Sequence, residues 1–150
     1  MTDKSVKARL ADSMTEDFER DLLHDGVSPE KIQAQVKRSK ERLTSAPVAI
    51  LLCLDMSEMD SYSDEKRYQA ERSMAMQSVA AAGLQLLFAA HAEGLGGVWV
   101  CSPLFTPGTI QKTLNLPDTW EPQAMFYVGY PAQIPEPRER KDVQSISLFL

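Results

Sequence analysis

The sequence has little of what metal centres and disulfide frameworks are made from. Its 150 residues contain two cysteines and two histidines. Cys53 and Cys101 each sit in an apolar run, which predicts reduced, buried thiols rather than a disulfide. There is no C-x-x-C pair, and His24 and His91 are isolated, so no metal site is expected. Basic residues are also scarce: 16 Lys and Arg against 21 Asp and Glu give a net charge of −5. That balance opposes a general nucleic-acid binder, and no nucleic-acid partner is expected. The opening MTDKSVKARL is polar and charged, unlike a signal peptide, and no apolar run approaches membrane-spanning length. A cytoplasmic protein with no membrane partner is predicted. Repeats and low-complexity segments are absent as well, and the length suits one domain, residues 1–150.

What the chain does have is one dominant apolar stretch, Glu71 to Ser102. Met74, Val79, Ala82, Leu86, Leu87 and Ala90 cover more than one side of a helix, which predicts packing on several faces. Gly94, Gly96 and Gly97 end that helix and give tight turns, and Val98-Trp99-Val100-Cys101 reads as a buried strand. The glycines follow a helix instead of joining strand to helix, so they are no dinucleotide fingerprint.

Other elements frame this stretch. Val6, Leu10, Met14, Phe18 and Leu22 recur every four residues and predict an amphipathic helix over residues 5–24. Asp25-Gly26 breaks it. Ser28-Pro29 restarts a mostly polar helix, with Ser28 placed to cap and Ile32, Val36 and Leu43 as its apolar seam. Pro47 ends that helix, and the continuous apolar run Val48–Leu54 predicts a central strand covered on both faces. A polar loop over residues 55–66 leads to the long helix, which starts near Asp64 or Glu65. Thr106-Pro107 opens a short helix with Ile110 and Leu114 facing in, and Gln123–Tyr130 is rich in sheet-favouring residues. A proline-rich exit carries Arg138, Arg140 and Lys141. The final apolar stretch, Ile146–Leu150, is expected as an edge strand or as an arm onto a neighbouring subunit. Together these elements predict an α/β or α+β sandwich.

Leu86 to Trp99, running through Gly94-Leu95-Gly96-Gly97, resembles the matching stretch of the FMN-dependent nitroreductase family. Further features fit in order: Ala46-Pro47 before an apolar strand, Leu114-Asn115-Leu116-Pro117, Gly129-Tyr130-Pro131, and Arg138-Glu139-Arg140 in the tail. Ser61-Tyr62-Ser63-Asp64 and Asp118-Thr119-Trp120-Glu121-Pro122 are most similar to the nitroreductase-like domain fused to gamma-glutamyl ligases of deazaflavin-coenzyme biosynthesis. The resemblance implies an α+β three-layer sandwich: an antiparallel-rich sheet flanked by helices, with one long central helix. It also implies a homodimer paired through that helix and the tails. The Arg-x-Ser-x-Arg segment with which the family grips FMN has no counterpart here, so a chain short at its N-terminus is expected.

The implied function is a flavoprotein oxidoreductase of nitroreductase type. FMN would carry hydride from NAD(P)H or another reduced carrier to an electron-poor acceptor such as a nitroaromatic, a quinone or a deazaflavin. The alternative is a non-redox flavin- or deazaflavin-binding module, or a dimeric accessory protein that keeps the fold. The resemblance places Cys101 and Ser102 at the isoalloxazine edge through their backbone amides, a role that needs no particular side chain. It gives Gly96 a close approach to the ring, and Arg138 and Arg140 the FMN phosphate. No side chain is expected to be catalytic in its own right. Beside these stand plainer readings: the glycines as a helix cap and turn, the arginines as a solvated charge run, Trp99 as core, Trp120 as a partly exposed residue near a turn, and His91 as a helix-dipole partner.

Overall fold

Glycines, prolines and short polar side chains set nearly every boundary in the chain, whose computed structural model describes all 150 residues. The first helix, α1 (Lys4–His24), is capped by Asp3, whose carboxylate accepts from the amides of Ser5 and Val6. It ends at Gly26, where φ is +71° and the Val27 amide donates to the Leu22 carbonyl. The second, α2 (Pro29–Ser45), begins at the expected proline. Ser28 occupies its N-cap position without making a side-chain cap bond. A strand β1 (Val48–Asp55) and the loop after it lead to α3 (Glu65–Ala92), capped by Asp64. Gly94, at φ +74°, closes α3: the amides of Leu95 and Gly94 donate to the carbonyls of Ala90 and His91, filling acceptors the helix leaves open.

Strand β2 (Gly96–Val100), a 3-10 turn (Ser102–Phe105), α4 (Pro107–Leu114), β3 (Trp120–Gly129) and a short α5 (Val143–Ile146) complete the order. The three strands form one antiparallel sheet in the order β1-β3-β2. β3 is therefore central and β1 lies at an edge, which corrects the expectation that Val48–Leu54 would be the central strand. A continuous apolar run marks burial on both faces; it does not say which strand has two neighbours. Opposite Leu52 and Cys53 the register shifts, so Gln123 is an extra residue in β3, and the fully buried Pro122 sits at that irregularity. That is where a central strand tolerates proline.

The pleat of β3 sorts the core. Met125 joins Leu10, Ala11, Leu43, Ala49 and Ile110 on the side of α1, α2 and α4. Ala124, Phe126 and Val128 pack on the other side against Leu86, Leu87, Ala90 and Trp99. The result is a three-layer α+β sandwich with one long helix alone on its face. Ile32, Val36 and Leu43 are buried as the α2 seam predicts. Between α1 and α2 the Lys7 ammonium is buried and donates to the Ala46 carbonyl at the α2 terminus.

Four expectations need correction. α3 is not packed on several faces within this chain: Met74, Met76, Leu84 and Phe88 are exposed, Phe88 by 64%. By length and composition α3 is apolar enough to cross a membrane, contrary to the sequence reading, although its Leu86–Ala90 side is seated on the sheet. Cys101 is exposed rather than buried, while Cys53 is half-buried. Residues 146–150 form no edge strand; Ile146 ends α5, and the exposed segment after it runs to Leu148, Phe149 and Leu150.

One ion pair fastens α3 to the start of β3. Arg72 donates to both carboxylate oxygens of Glu121, at 2.6 and 2.7 Å, and holds that carboxyl below its usual 4.5. A depressed carboxyl contributes stability above its unfolded pKa and loses it as pH falls through the folded one. Arg72→Met should therefore lower stability by roughly 1 kcal/mol at pH 7 for this partly exposed pair. Urea melts of both proteins should converge as pH falls below 4.5. A gap that persists at low pH would mean the arginine acts through packing.

Candidate functional site

The helices on the α1 side do not cover the whole sheet, and the bare part lies over β2. Gly96, Val98 and Val100 alternate onto that face, while Gly97 and Trp99 turn toward α3. Gly96 has no side chain to fill the floor, and a Cβ there would come within 3.3 Å of the Pro131 ring. Together with Val98 and Val100 it lines an open groove of about 510 Å³, flanked by Arg42, Ser45 and Pro47 on one bank and Tyr130 and Pro131 on the other.

Where β2 ends, the chain turns through Cys101 into the 3-10 segment and opens onto a second, more enclosed cavity of about 400 Å³. Its walls are mostly apolar: Met14, Phe18 and Leu22 from α1, Leu43 from α2, and Phe105 after the turn. The stripe of α1 predicted to lie on something thus splits. Leu10 goes into the core, and Met14, Phe18 and Leu22 line this cavity. Several polar groups join them. Cys101, Ser102 and Thr106 come from one wall, Asp21 and Asp25 from the C-terminal end of α1, and Ser39 and Lys40 from α2. Lys40 is engaged by Asp12 at 2.5 Å.

Tyr127 belongs to both spaces. It stands on the α1 side of β3, opposite Val98 of β2 and Ala49 of β1. Burial pushes its phenol above the usual 10.0, and the Arg42 charge opposes that shift. The Cys101 amide, just past the last β2–β3 pair, has no backbone acceptor. Thr106 Oγ1 is buried without a partner.

The sequence-predicted residues therefore fall in three places. Cys101 and Ser102 line the enclosed cavity, Gly96 lines the open groove, and these two spaces meet at Tyr127. Arg138 and Arg140 lie in the exposed tail and line neither space. Arg42 and Tyr127 were not singled out in the sequence. Arg42 looked like one more charge on a polar helix. Tyr127 looked like one more sheet-favouring aromatic, although its place two residues from Met125 gave its face. Trp99 packs half-buried against the core, in edge contact with Phe126 at 4.9 Å, but its strand is not the buried one expected: β2 is partly exposed along its length, Val98 by 51%.

The two thiols should separate chemically. Cys101 is exposed, whereas burial pushes the half-buried Cys53 thiol above its usual 9.0. Titration with an aromatic disulfide reagent at pH 8 should give one fast and one slow equivalent, and Cys101→Ser should remove the fast one. Two equal rates would contradict this placement of Cys101.

Comparison with known proteins gives one family and a set of folds. Residues 1–130 match the nitroreductase family. Among solved structures, a BluB-like flavoprotein from Clostridium difficile 630 aligns with 100% of this chain and 77% of its own, at 22% identity and a TM-score of 0.73. An iodotyrosine deiodinase bound to FMN and 3-iodo-L-tyrosine aligns with 95% of this chain and 70% of its own, at 21% identity and TM-score 0.65. The NADPH:FMN oxidoreductase from Vibrio harveyi, in complex with NAD+, shares 18% identity at TM-score 0.63. The match spans 98% of this chain and 55% of that one. At such identities these structures speak to the fold.

Proposed function

The chain belongs to the nitroreductase family, and from that premise we propose that it is an FMN-dependent oxidoreductase acting on a small electron-poor organic acceptor. The observation that carries this reading is the bare face of β2, a floor leading from Gly96 to the unpaired amide of Cys101. That surface fits the ring end of a flavin. It offers a flat apolar floor, a glycine where a side chain would intrude, and a backbone donor at the far end. The phosphate end is less well provided, because Arg42 is the one basic side chain lining the groove.

When bound, FMN supplies two-electron hydride chemistry between NAD(P)H, or another reduced carrier, and the acceptor. The chain's own part is to bind and orient. The amides of Cys101 and Ser102 would hold the ring's redox edge, where a fixed donor would favour the more electron-rich ring. Gly96 lets the ring lie close. Arg138 and Arg140 line neither space here, and would have to come in from the exposed tail to hold the phosphate as a pair of charge-assisted donors. A homodimer covers the exposed face of α3. A deazaflavin is kept among the acceptors because of the likeness of Ser61–Asp64 and Asp118–Pro122. Two free cysteines agree with a cytoplasmic location. The thin phosphate end favours one rival, a module that holds a flavin or deazaflavin without redox turnover.

Four measurements test this reading. The exposed Met74, Leu84 and Phe88 predict a dimer, so sedimentation equilibrium at micromolar protein should give twice 16.7 kDa. A clean monomer would remove the shared-helix arrangement. Titration with FMN, followed by flavin fluorescence, should show uptake in the micromolar range, about −8 kcal/mol. NADPH added under argon should then bleach the visible bands. Arg138→Ala combined with Arg140→Ala should weaken FMN by roughly 1–4 kcal/mol and leave riboflavin, which lacks the phosphate, nearly unaffected. Uptake without bleaching supports the binding-module rival, and no uptake at several hundred micromolar ends the flavin reading.

A further inference from the structure

The charge of this chain is unevenly placed. α2 holds five of the 16 basic residues and two acidic ones, a net of +3 in a protein whose total is −5. Two of those cations are used inside the chain: Lys40 is engaged by Asp12 at 2.5 Å, and Lys37 faces Glu41 at 3.9 Å. Lys31, Arg38 and Arg42 are exposed and enter no ion pair; the Arg42 charge faces the Tyr127 phenol, not an acid. At spacings of seven and four residues these three share one flank of α2, a line of roughly 16 Å. It ends at the open groove, where Arg42 and Ser45 form the bank. Glu30 and Glu41 are each one residue off that line, about 100° round the helix.

Across the groove mouth stands Tyr130, 85% exposed, beside Pro131. Arginine and tyrosine are the side chains on which protein interfaces concentrate their binding energy. A line of three cations is longer than one phosphate or carboxylate can span. A lipid surface is a poor occupant, because Ile32, Val36 and Leu43 are buried in the chain and leave α2 no apolar face to insert. A nucleic acid gains its affinity from many neutralised phosphates, and here it would meet three cations backed by a net charge of −5. A small acidic protein suits the uneven field: most of this surface repels it, and this flank draws and orients it.

We propose that the Lys31–Arg38–Arg42 flank of α2, with Tyr130 across the groove, docks a small acidic electron-carrier protein. The carrier's purpose rests on the flavin reading; the docking itself needs only this chain. Carboxylates of the partner lie along the three cations, and its surface covers Tyr130, so that its centre sits over the groove mouth. Each carrier gives up one electron. Two reduced carriers and one proton from water therefore turn one bound FMN into its reduced anion, and two oxidised carriers leave. Charge governs the rate and orientation of arrival, and Tyr130 adds hold once the partner is seated.

The test uses the full chain without flavin, labelled with nitrogen-15, and an oxidised plant-type 2Fe–2S ferredoxin as the acidic carrier. The amides of α2, Gly129 and Tyr130 should shift or broaden, and binding should weaken by roughly tenfold as salt rises from about 0.05 to 0.2 M. Lys31→Glu with Arg38→Glu should weaken docking by roughly tenfold and leave FMN uptake within about twofold, since neither residue lines the groove. Lys66→Glu with Lys112→Glu, the same change of charge at exposed positions elsewhere, should cost less than about threefold. Tyr130→Ala should cost about fivefold. Equal losses in the two charge pairs, an unchanged affinity in Tyr130→Ala, shifts confined to the exposed face of α3, or tighter binding to vesicles of anionic lipid than to the ferredoxin would each overturn the proposal. A protein that docks the ferredoxin but never takes up FMN would keep this surface and lose the flavin, and the reverse result would lose this surface alone.

Discussion

The sandwich depends on how closely α3 can lie on the sheet, and two glycines set that distance. A Cβ on Gly83 would stand 2.8 Å from Phe126 and 3.0 Å from Trp99, closer than carbon atoms pack. A Cβ on Gly97 would meet Leu87 at 2.6 Å. One glycine is in the helix and the other in the strand beneath it, so each side yields where the other presses. The edge-to-face pair of Trp99 and Phe126 fills the space between. A methyl group at either glycine would lift the helix or displace an aromatic ring, and the layer of Ala124, Phe126 and Val128 would lose its cover.

The opposite face is closed differently, and from that difference the candidate site follows. Three helices share it, tied by Lys7 to Ala46 between α1 and α2 and by Thr109 to Asp17 between α4 and α1. They cover β1 and the middle of β3, where Leu10, Ile110 and Met125 are fully buried. They do not reach β2. A bare strand beside a well-packed one gives a rigid floor with open space above it, and the turn after β2 brings its free amide to the edge of both spaces. Rigidity comes from one layer and access from the incompleteness of the other.

Much of this was legible before the structure, because local chemistry fixes local boundaries. Pro29, Asp64, Gly94 and Pro107 mark helix ends by mechanisms that act within a turn, while the Asp3 cap of α1 was not read from the sequence. The stripe from Val6 to Leu22 also gave its helix, but not that Met14 and Phe18 would face a cavity, since core and cavity walls are equally apolar. Strand order was not legible either: β1 and β3 are both apolar and of similar length, and only pairing decides which has two neighbours. Composition made α3 apolar all round, yet it could not say which part this chain buries and which it leaves exposed. Of the site, Cys101, Ser102 and Gly96 came from resemblance, whereas Arg42 and Tyr127 matter only because residues far apart in sequence meet.

The central place of β3 also has a consequence in time. Val48 pairs with Val128, and Gly96 with Gly129, so both outer strands wait for the last one. On a ribosome, α1, α2 and α3 emerge and can coil from local bonds alone. β1 emerges early with its apolar residues unmatched, and it stays so until residues 120–129 have cleared the exit tunnel. Every ladder in the sheet is a long-range contact made late, which favours slow closure and a nascent chain with an unpaired, sticky strand. A chaperone that shields Val48–Leu54 would meet this protein at its most vulnerable stage, before the sheet exists.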